Sequence, residues 1–590
     1  MSMADSIILT APMFSDFGGW VLDTQFVTTM GMPYLLAHGL GRPVEDASID
    51  FSVAEAGEYH LFVYTYNWVA PWHPEMVPGI FEIYLDGVKT GTVFGGQTPE
   101  WGWEKGGAVR LDQGNHRISI HDLTGFEGRI GMLVLFKEED PRLPQTAEEV
   151  RQFVFENTCS FGNAEDAYDL VVCGGGMAGI CAALSASRNG LKTALIQDRC
   201  VVGGNNSSEV RVWLGGKTNF EPFPGIGNIM NEMEQSKAAH HGNANVGENY
   251  EDDKKLGLLQ AEENLTVYLG HILTDVQMTG DTIDSITVWD YKGGKVLTIR
   301  GALYADCTGD ATLGYLSGAD FEVTTNAHMG ASNLWYTEEC EKPQPFPRCP
   351  WAIDLTNAPF PGRTGVPIYG IEGLDAMGGW FWESGHEHDP IEKAEYIRDL
   401  NFRAMYGAWD AVKNVDGDYP NHRLSFCAYI AGKRESRRLL GDVVLTKQDV
   451  QKGRYQEDGC VPSTWSFDVH YPDRRFYSAF HEGDAFIAGA YYEQFPGPYF
   501  VPYRVLYSRN IANLFMAGRN VSVSHDALGT VRVMRTGGMM GEVVGYAAKF
   551  CRKYDIQPRQ VYTHHLEEFI AELKAIPNLK RNKLVANERE

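Results

Sequence analysis

Three glycines carry the first chemical signal in the chain. In DLVVCGGGMAGICAALSASRNG (169–190), Gly174, Gly176 and Gly179 stand at the spacing GxGxxG. The first permits a tight turn, the second lets a pyrophosphate approach bare backbone, and the third lets the next helix pack closely on the strand. The N–H groups and positive end of that helix then face phosphate. A glycine triplet can also be a fortuitous flexible loop. Here the strand-like YDLVVC precedes it, and the helix-like AGICAALSASRNG and a second strand, KTALIQ, follow. That is the βαβ context a dinucleotide site requires. The ribose should meet an acidic residue at the end of the second strand, about 20 residues on. Gln197 holds that place and Asp198 follows. Gln accepts a hydrogen bond without carrying charge, so either residue could hold the ribose.

A second set of side chains suits a polar organic ligand. GGWFWESGHEHD offers Trp380, Trp382, Glu383, His386 and His388. Aromatic rings cover C–H faces and polar tips take hydroxyls, as a sugar-sized ligand needs; the alternative is aromatic core with a solvated Glu and His. His386 and His388 lack an evident third ligand, so no metal is expected. DVHYPDRRF supplies His470, Asp473 and Arg474, either for substrate contact or merely as a surface turn at Pro472-Asp473. Tyr503 and Arg504, in GPYFVPYRVLYSRN, are candidates to line the pocket.

Composition narrows the class. With 51 basic against 77 acidic residues the net charge is −26. Such a chain repels phosphate backbones and anionic lipid, so nucleic acid is not an expected partner. No run approaches the ~18 apolar residues of a membrane span, and MSMADSIILTAPMF lacks the basic start and apolar run of a secretory signal. Ten cysteines are scattered without a CxxC pair, which argues against structural zinc and a disulfide scaffold. A cytoplasmic location with reduced thiols is the expectation.

The elements that must position these groups fall into three regions. Residues 1–138 read as an all-β sandwich. DASIDFSVAEAGEYHLFVYTYNW holds two alternating runs joined at Ala56-Gly57, Asp86-Gly87 marks a hairpin turn, and further runs meet at Gln113-Gly114. Residues 139–164 read as a linker, beginning in the polar EEDPRLPQTAEE. From about Asp169 the βαβ pattern predicts a parallel sheet with helices on its faces. In the aromatic middle, one helix is capped by Asp389, with Pro390 at its first position and Glu392 at capping-box spacing. Ile391, Ala394, Ile397, Leu400 and Ala404 mark its face.

Four separated motifs, in order across about 165–552, resemble bacterial FAD-dependent oxidoreductases of the glutathione-reductase/fumarate-reductase type. Besides the glycine turn, RCVVGGNNSSEVRVWLGG resembles the stretch that runs along the pyrophosphate and ribityl chain. ALYADCTGDATLGYLSGADF resembles the strand and TGD motif that return the chain to the cofactor. NLFMAGRNVSVSHDALGTVRVMRTGGMMGEVVGYAAKF resembles the C-terminal flavin motif, with a helix beginning near 532–536 aimed at the flavin. A helix N-terminus favours the charge of a reduced flavin by ~0.3–2 kcal/mol. Gly537, Gly541 and Gly545, four residues apart, would let that helix pack closely. GKRESRRLLGDVVLTKQDV also matches a signature of these proteins.

The resemblance implies an α/β Rossmann-like FAD-binding domain with an inserted α+β substrate domain, preceded by the all-β sandwich domain. The FAD domain is expected at 165–324 and 501–555, the insert at 325–500, and a C-terminal helical tail at 556–590. FAD is the implied cofactor. Around it the resemblance places Gly174, Gly176, Met177, Ala178, Gly179, Gln197, Asp198 and Arg199. From the second stretch it adds Gly204, Asn205, Asn206, Ser207, Ser208 and Arg211, and then Val276. Thr308, Gly309 and Asp310 follow from the TGD motif, and Gly518, Arg519, Leu528, Gly529 and Arg532 from the C-terminal one. His525 is implied as the catalytic base, or as a histidine that only hydrogen-bonds flavin or backbone. Trp382, Glu383, His386, His470, Arg474 and Tyr503 are the substrate-binding candidates. HDLTGFEGRIGMLVLF resembles carbohydrate-binding-like modules.

The expected activity is therefore oxidation of a secondary alcohol of a sugar or sugar derivative by hydride transfer to the flavin. One rival is reduction of an activated alkene, with Arg434, Arg437, Arg438, Arg474 and Arg504 as a possible carboxylate clamp. Others are a redox-neutral elimination and a carbohydrate-binding protein with structural FAD. No second GxGxxG lies in a βαβ context, so an external electron acceptor is expected. A homo-oligomer is compatible with the sequence.

Overall fold

The computed structural model describes residues 6–237, 244–477, 484–495 and 497–580. Its N-terminal region forms two antiparallel sheets, one of six strands and one of four. Their alternating apolar residues share one core that includes Ile49, Phe51, Leu61, Val63, Phe81, Ile83, Ile118, Ile120 and Leu133. Asp86 and Gly87 have φ of 51° and 78°, the left-handed pair that closes the hairpin between strands Phe81–Leu85 and Val88–Phe94. Across Ala56-Gly57 and Gln113-Gly114 the chain instead changes sheets. Ala47–Val53 and Gly114–Asp122 pair in the smaller sheet, and Gly57–Thr65 and Gly102–Leu111 in the larger.

The expected linker is largely structured. Helix α1 (Ala147–Thr158) starts at a capping box in which Thr146 and Glu149 exchange side-chain-to-backbone bonds. Val150 and Val154 are its buried face, set against Met30, Tyr34 and Leu36 of the β region. Strand β1 (Ser160–Cys173) follows at once.

Next come α2 (Met177–Arg188), β2 (Thr193–Gln197), β3 (Leu265–Leu269), β4 (His271–Thr279), β5 (Thr282–Asp290) and β6 (Lys295–Asp306). They form a sheet ordered β3-β2-β1-β6-β5-β4. Pairs β1/β2, β2/β3 and β1/β6 are parallel, whereas β5 is antiparallel to both its neighbours.

In the middle region the long helix α3 spans Ala394–Asp410. Asp389 Oδ1 accepts from the N–H groups of Ile391 and Glu392, but it caps the preceding turn and the regular helix begins five residues later. The helix is buried on nearly every side because the β region packs on one flank and the rest of the middle region on another. At the β-region flank, Arg129 bonds Asp399 and Glu395, while Arg398 bonds Asp23 and the Tyr34 hydroxyl.

The chain then returns to the sheet. β7 (Leu514–Met516) pairs parallel with β6. Helices α4 (His525–Val531), α5 (Met534–Tyr554) and α6 (Pro558–Ala575) follow. A Cβ on Gly541 would lie 2.0 Å from the Ala178 carbonyl oxygen, and one on Gly545 2.4 Å from Ser185 Cβ. Only glycine allows α5 to meet α2 at this separation.

Candidate functional site

The glycine turn has the geometry its spacing predicts. Gly174 has φ of 102°, and a Cβ there would sit 2.4 Å from the Cys307 carbonyl oxygen; on Gly179 it would lie 1.8 Å from that of Gly174. Gly176 begins α2 with no side-chain cap, and the nearest atom to a Cβ placed on it is Gly204 Cα at 3.9 Å. Gly203 N–H donates to the Gly175 carbonyl at 2.8 Å. Two glycine stretches thus face one another as bare backbone at a helix N-terminus, a cradle for a phosphate group. Met177 and Ala178 form the buried first turn above it.

Around this cradle the structure sorts the expected cofactor residues. Gln197 is buried; its Oε1 accepts from Gly175 N–H at 2.7 Å and its Nε2 donates to the Val201 carbonyl at 3.0 Å. Both ends of its amide brace the turn, which leaves Asp198 as the ribose candidate. Burial raises the Asp198 carboxyl, against the pull of Arg199. Arg199 itself pairs with Glu209 at 2.6 Å.

In the second stretch Asn206 donates to the Val212 carbonyl, Ser207 to that of Gly204, and Ser208 N–H to Asp252. Arg211 lies over the Phe426 ring at 3.4 Å. These bonds shape the loop rather than leaving the groups open, although Asn206 Oδ1 is buried with no hydrogen-bond partner. Val276 is a buried residue of β4.

The TGD motif closes the turn after β6. Thr308 bonds Asp306, Gly309 takes φ of 77°, and Asp310 accepts from Lys433, Arg519 and Ser436 at 2.6, 2.6 and 2.8 Å. Burial alone would raise the Asp310 carboxyl, but Lys433 and Arg519 hold it well below the usual range. Gly518, with φ of 105°, precedes that arginine. Leu528 and Gly529 lie in the buried face of α4, where a Cβ on Gly529 would meet the Asp468 backbone at 2.9 Å. The N-terminus of α5 has no side-chain cap, and Thr536 Oγ1 beside it is buried without a partner. The bare cradle, two uncapped helix ends and orphaned polar atoms fit a flavin dinucleotide.

A cleft of about 2220 Å³, including its open mouth, joins this side to the aromatic middle. Asn205, Arg519, Arg532 and Met534 line it from the cofactor motifs; Trp335, Tyr336, Trp380, His470 and Tyr492 line it from the middle region. His470 stands on strand Phe467–Pro472. Its Nδ1 is 2.5 Å from Glu383 Oε2 and its Nε2 3.2 Å from Asp468 Oδ1. Glu383 is fully buried and also accepts from Gly330 N–H at 2.6 Å. Burial would raise its carboxyl, yet Arg434 and His470 hold it well below the usual range. Asp468 is lowered too, as His470 and Arg532 outweigh burial. Arg532 Nε is buried with no hydrogen-bond partner, and the Trp380 ring lies 5.0 Å from the imidazole.

Several expected substrate contacts lie elsewhere. Trp382 is buried beside Trp335 and Phe486 and donates to the Ala376 carbonyl. His386 is buried, with Nδ1 on the His328 carbonyl, and burial lowers its pKa. Arg474 is exposed on the short helix Arg474–Tyr477, outside the cleft. Tyr503 is core: its hydroxyl donates to the Pro558 carbonyl and its ring packs on Phe569 of α6. Arg504 clamps Asp458. Glu383 stands behind His470 rather than in the open cleft.

His525, the expected base, opens α4 with Nδ1 2.7 Å from Glu435, and it is not among the residues lining the cleft. Asp468 was missed, although the strand period puts residues 468 and 470 on one face. Among the described residues no three His, Cys, Asp or Glu gather as a metal site, and no helix is long and apolar enough to cross a membrane.

Partial likenesses to solved structures accompany this geometry. The flavin-dependent monooxygenase PieE, in complex with FAD and substrate, is 13% identical, covers 29% of this chain and 36% of its own, with a TM-score of 0.20. The chain thus spans about a third of that protein's length. L-proline dehydrogenase from P. horikoshii is 15% identical and covers 83% of this chain and 67% of its own, with a TM-score of 0.26. A family 35 carbohydrate binding module from Clostridium thermocellum is 17% identical, covers 22% of this chain and 92% of its own, with a TM-score of 0.17. No curated protein matches. The family model described as FAD dependent oxidoreductase matches residues 169–573, more than half of the chain. The protein therefore belongs to the FAD-dependent oxidoreductases, enzymes that use FAD as cofactor.

Proposed function

We propose that this enzyme dehydrogenates a hydroxyl-bearing carbon of a neutral, sugar-sized ligand, with His470 as the proton acceptor. The observation that carries this reading is the Glu383–His470 pair facing an aromatic cleft that reaches the cofactor motifs. FAD, when bound, supplies the hydride acceptor. The glycine cradle and α2 would hold its pyrophosphate, Asp198 its ribose, and the N-terminus of α5 its flavin end.

Glu383 holds the proton on Nδ1, so Nε2 is the basic nitrogen, and the Asp468 carboxylate 3.2 Å from it stabilises the proton it takes up at the edge of the cleft. Trp380 covers a C–H face and keeps water from the imidazole.

Charge favours a neutral ligand over an unsaturated acid. Of the five arginines expected as a carboxylate clamp, only Arg434 lines the cleft, and Glu383 lies 3.2 Å from it. Arg532 is likewise matched by Asp468 at 3.4 Å. Electrons then leave to an acceptor outside the chain.

The test is an anaerobic flavin spectrum before and after addition of sugars, glycosides and polyols. One of them bleaches the band, and His470→Gln slows bleaching ~10²–10⁴-fold with flavin content unchanged. Bleaching of His470→Gln at the wild-type rate, with His525→Gln slow, would return the base to His525. Failure of every alcohol to bleach the band would overturn the reading.

A further inference from the structure

We infer that the cleft carries an outer carbohydrate subsite, formed by Tyr369 and Tyr492, so that the enzyme takes a glycoside or oligosaccharide rather than a free monosaccharide. The inference rests on the dehydrogenase reading and extends it outward from His470. An aromatic ladder leads from the imidazole to solvent. The Trp380 ring lies 5.0 Å from His470, and Tyr369 lies 5.2 Å from Trp380 at 31° between planes. Tyr369 is 48% exposed and Tyr492 50%.

Neither tyrosine is a loose surface residue. The Tyr369 hydroxyl accepts from Ala490 N–H at 2.9 Å, and Ala490 is the cross-strand partner of His470. Tyr492 is the cross-strand partner of Asp468 and lines the cleft itself. The register that sets the imidazole and carboxylate at the inner end therefore sets Tyr492 in the cleft lining, and the Ala490 bond holds Tyr369 beside that strand, next to Trp380.

Ordered, half-exposed tyrosines give rigid flat faces at low entropic cost on binding. Such faces with polar tips match the alternating C–H and hydroxyl surfaces of a sugar ring. A ring bound against Trp380 with its hydroxyl at His470 would direct its glycosidic substituent toward Tyr369 and Tyr492.

The experiment titrates the FAD-loaded enzyme calorimetrically with matched pairs: methyl glycosides and the corresponding disaccharides of glucose, galactose, mannose and xylose. At least one disaccharide binds roughly 3- to 10-fold tighter than its methyl glycoside, the range expected of one added ring contact. Tyr369→Ala brings that ratio close to one. The subsite is overturned if no disaccharide gains over its methyl glycoside, or if the gain survives in both Tyr369→Ala and Tyr492→Ala. Flavin bleaching by an alcohol without a disaccharide advantage removes the subsite and leaves dehydrogenation standing. A disaccharide advantage lost in Tyr369→Ala, without bleaching by any alcohol, keeps the subsite and removes the dehydrogenation.

Discussion

Replacing Arg129 by Met tests whether the N-terminal β region is a structural brace for the site. Arg129 is fully buried. It donates to both oxygens of Asp399, at 2.9 and 2.6 Å, and to Glu395 at 2.7 Å. Arg398 shares the same carboxylates and adds Asp23 at 2.6 Å. The cluster thus joins two guanidinium groups to three carboxyl groups, with burial pushing Glu395 toward its neutral form. Loss of Arg129 leaves Asp399 with Arg398 alone.

Removing one partner of a buried pair costs about 3–5 kcal/mol, because the remaining charge stays desolvated. At about 2–4 °C per kcal/mol for a cooperative unit of 150–250 residues, the melting midpoint should fall by ~6–20 °C. Asp399→Leu in the same chain removes the stranded carboxylate and should restore part of the loss, since an apolar replacement of a whole buried pair is often neutral. The coupling reaches the site: Asn401 of α3 donates to the Ala331 carbonyl, and Gly330 next to it holds Glu383. Thermal unfolding by circular dichroism and flavin retention after gel filtration are the assays. A loss under ~1 kcal/mol for Arg129→Met, in the range of an exposed pair, would refute the brace.

Other substitutions probe separate parts of the argument. Glu542, buried in α5, accepts from Gly227 N–H, and burial pushes its carboxyl up to about 8. A carboxyl raised on folding contributes stability that is complete below its unfolded pKa of about 4.3 and is lost as pH rises toward 8. The Tm of wild type relative to Glu542→Gln should therefore fall between about pH 4 and 8; a constant difference would refute the shift. Gly541→Val should separate α5 from α2 and lower both melting temperature and flavin content, read from the 450 nm band after desalting; full retention of both would contradict the close packing. Tyr503→Phe removes only the bond to Pro558 and should cost about 0.5–1.5 kcal/mol with the bleaching rate intact, whereas slowed bleaching would restore Tyr503 to the pocket.

Local rules made some features legible. Asp86-Gly87 needs two left-handed residues in succession, and few residue pairs accept that. Gly174, Gly179, Gly541 and Gly545 are legible for a related reason: at each an added Cβ would lie 1.8–2.4 Å from a neighbouring atom, so the residue type records the contact. By contrast, alternation from Ala47 to Thr65 looks the same whether the two strands pair or divide between sheets, and they divide. The segment around α1 reads as a linker by its prolines, yet Thr146 and Glu149 spell a capping box.

The sequence by itself determined the dinucleotide fold, its glycine cradle and the close helix packing, because steric exclusion of side chains acts on neighbours within a few residues or on bare backbone. Tertiary structure alone decided which histidine faces the cleft. His525 and His470 are equally plausible as residue types, but His525 turns to Glu435, while Glu383, 87 positions away in the chain, holds His470 at the cleft. Gln197 likewise turns its Oε1 to a partner, Gly175, 22 positions away. Side-chain direction and the pairing of buried charges depend on contacts distant in sequence, and no local pattern encodes them.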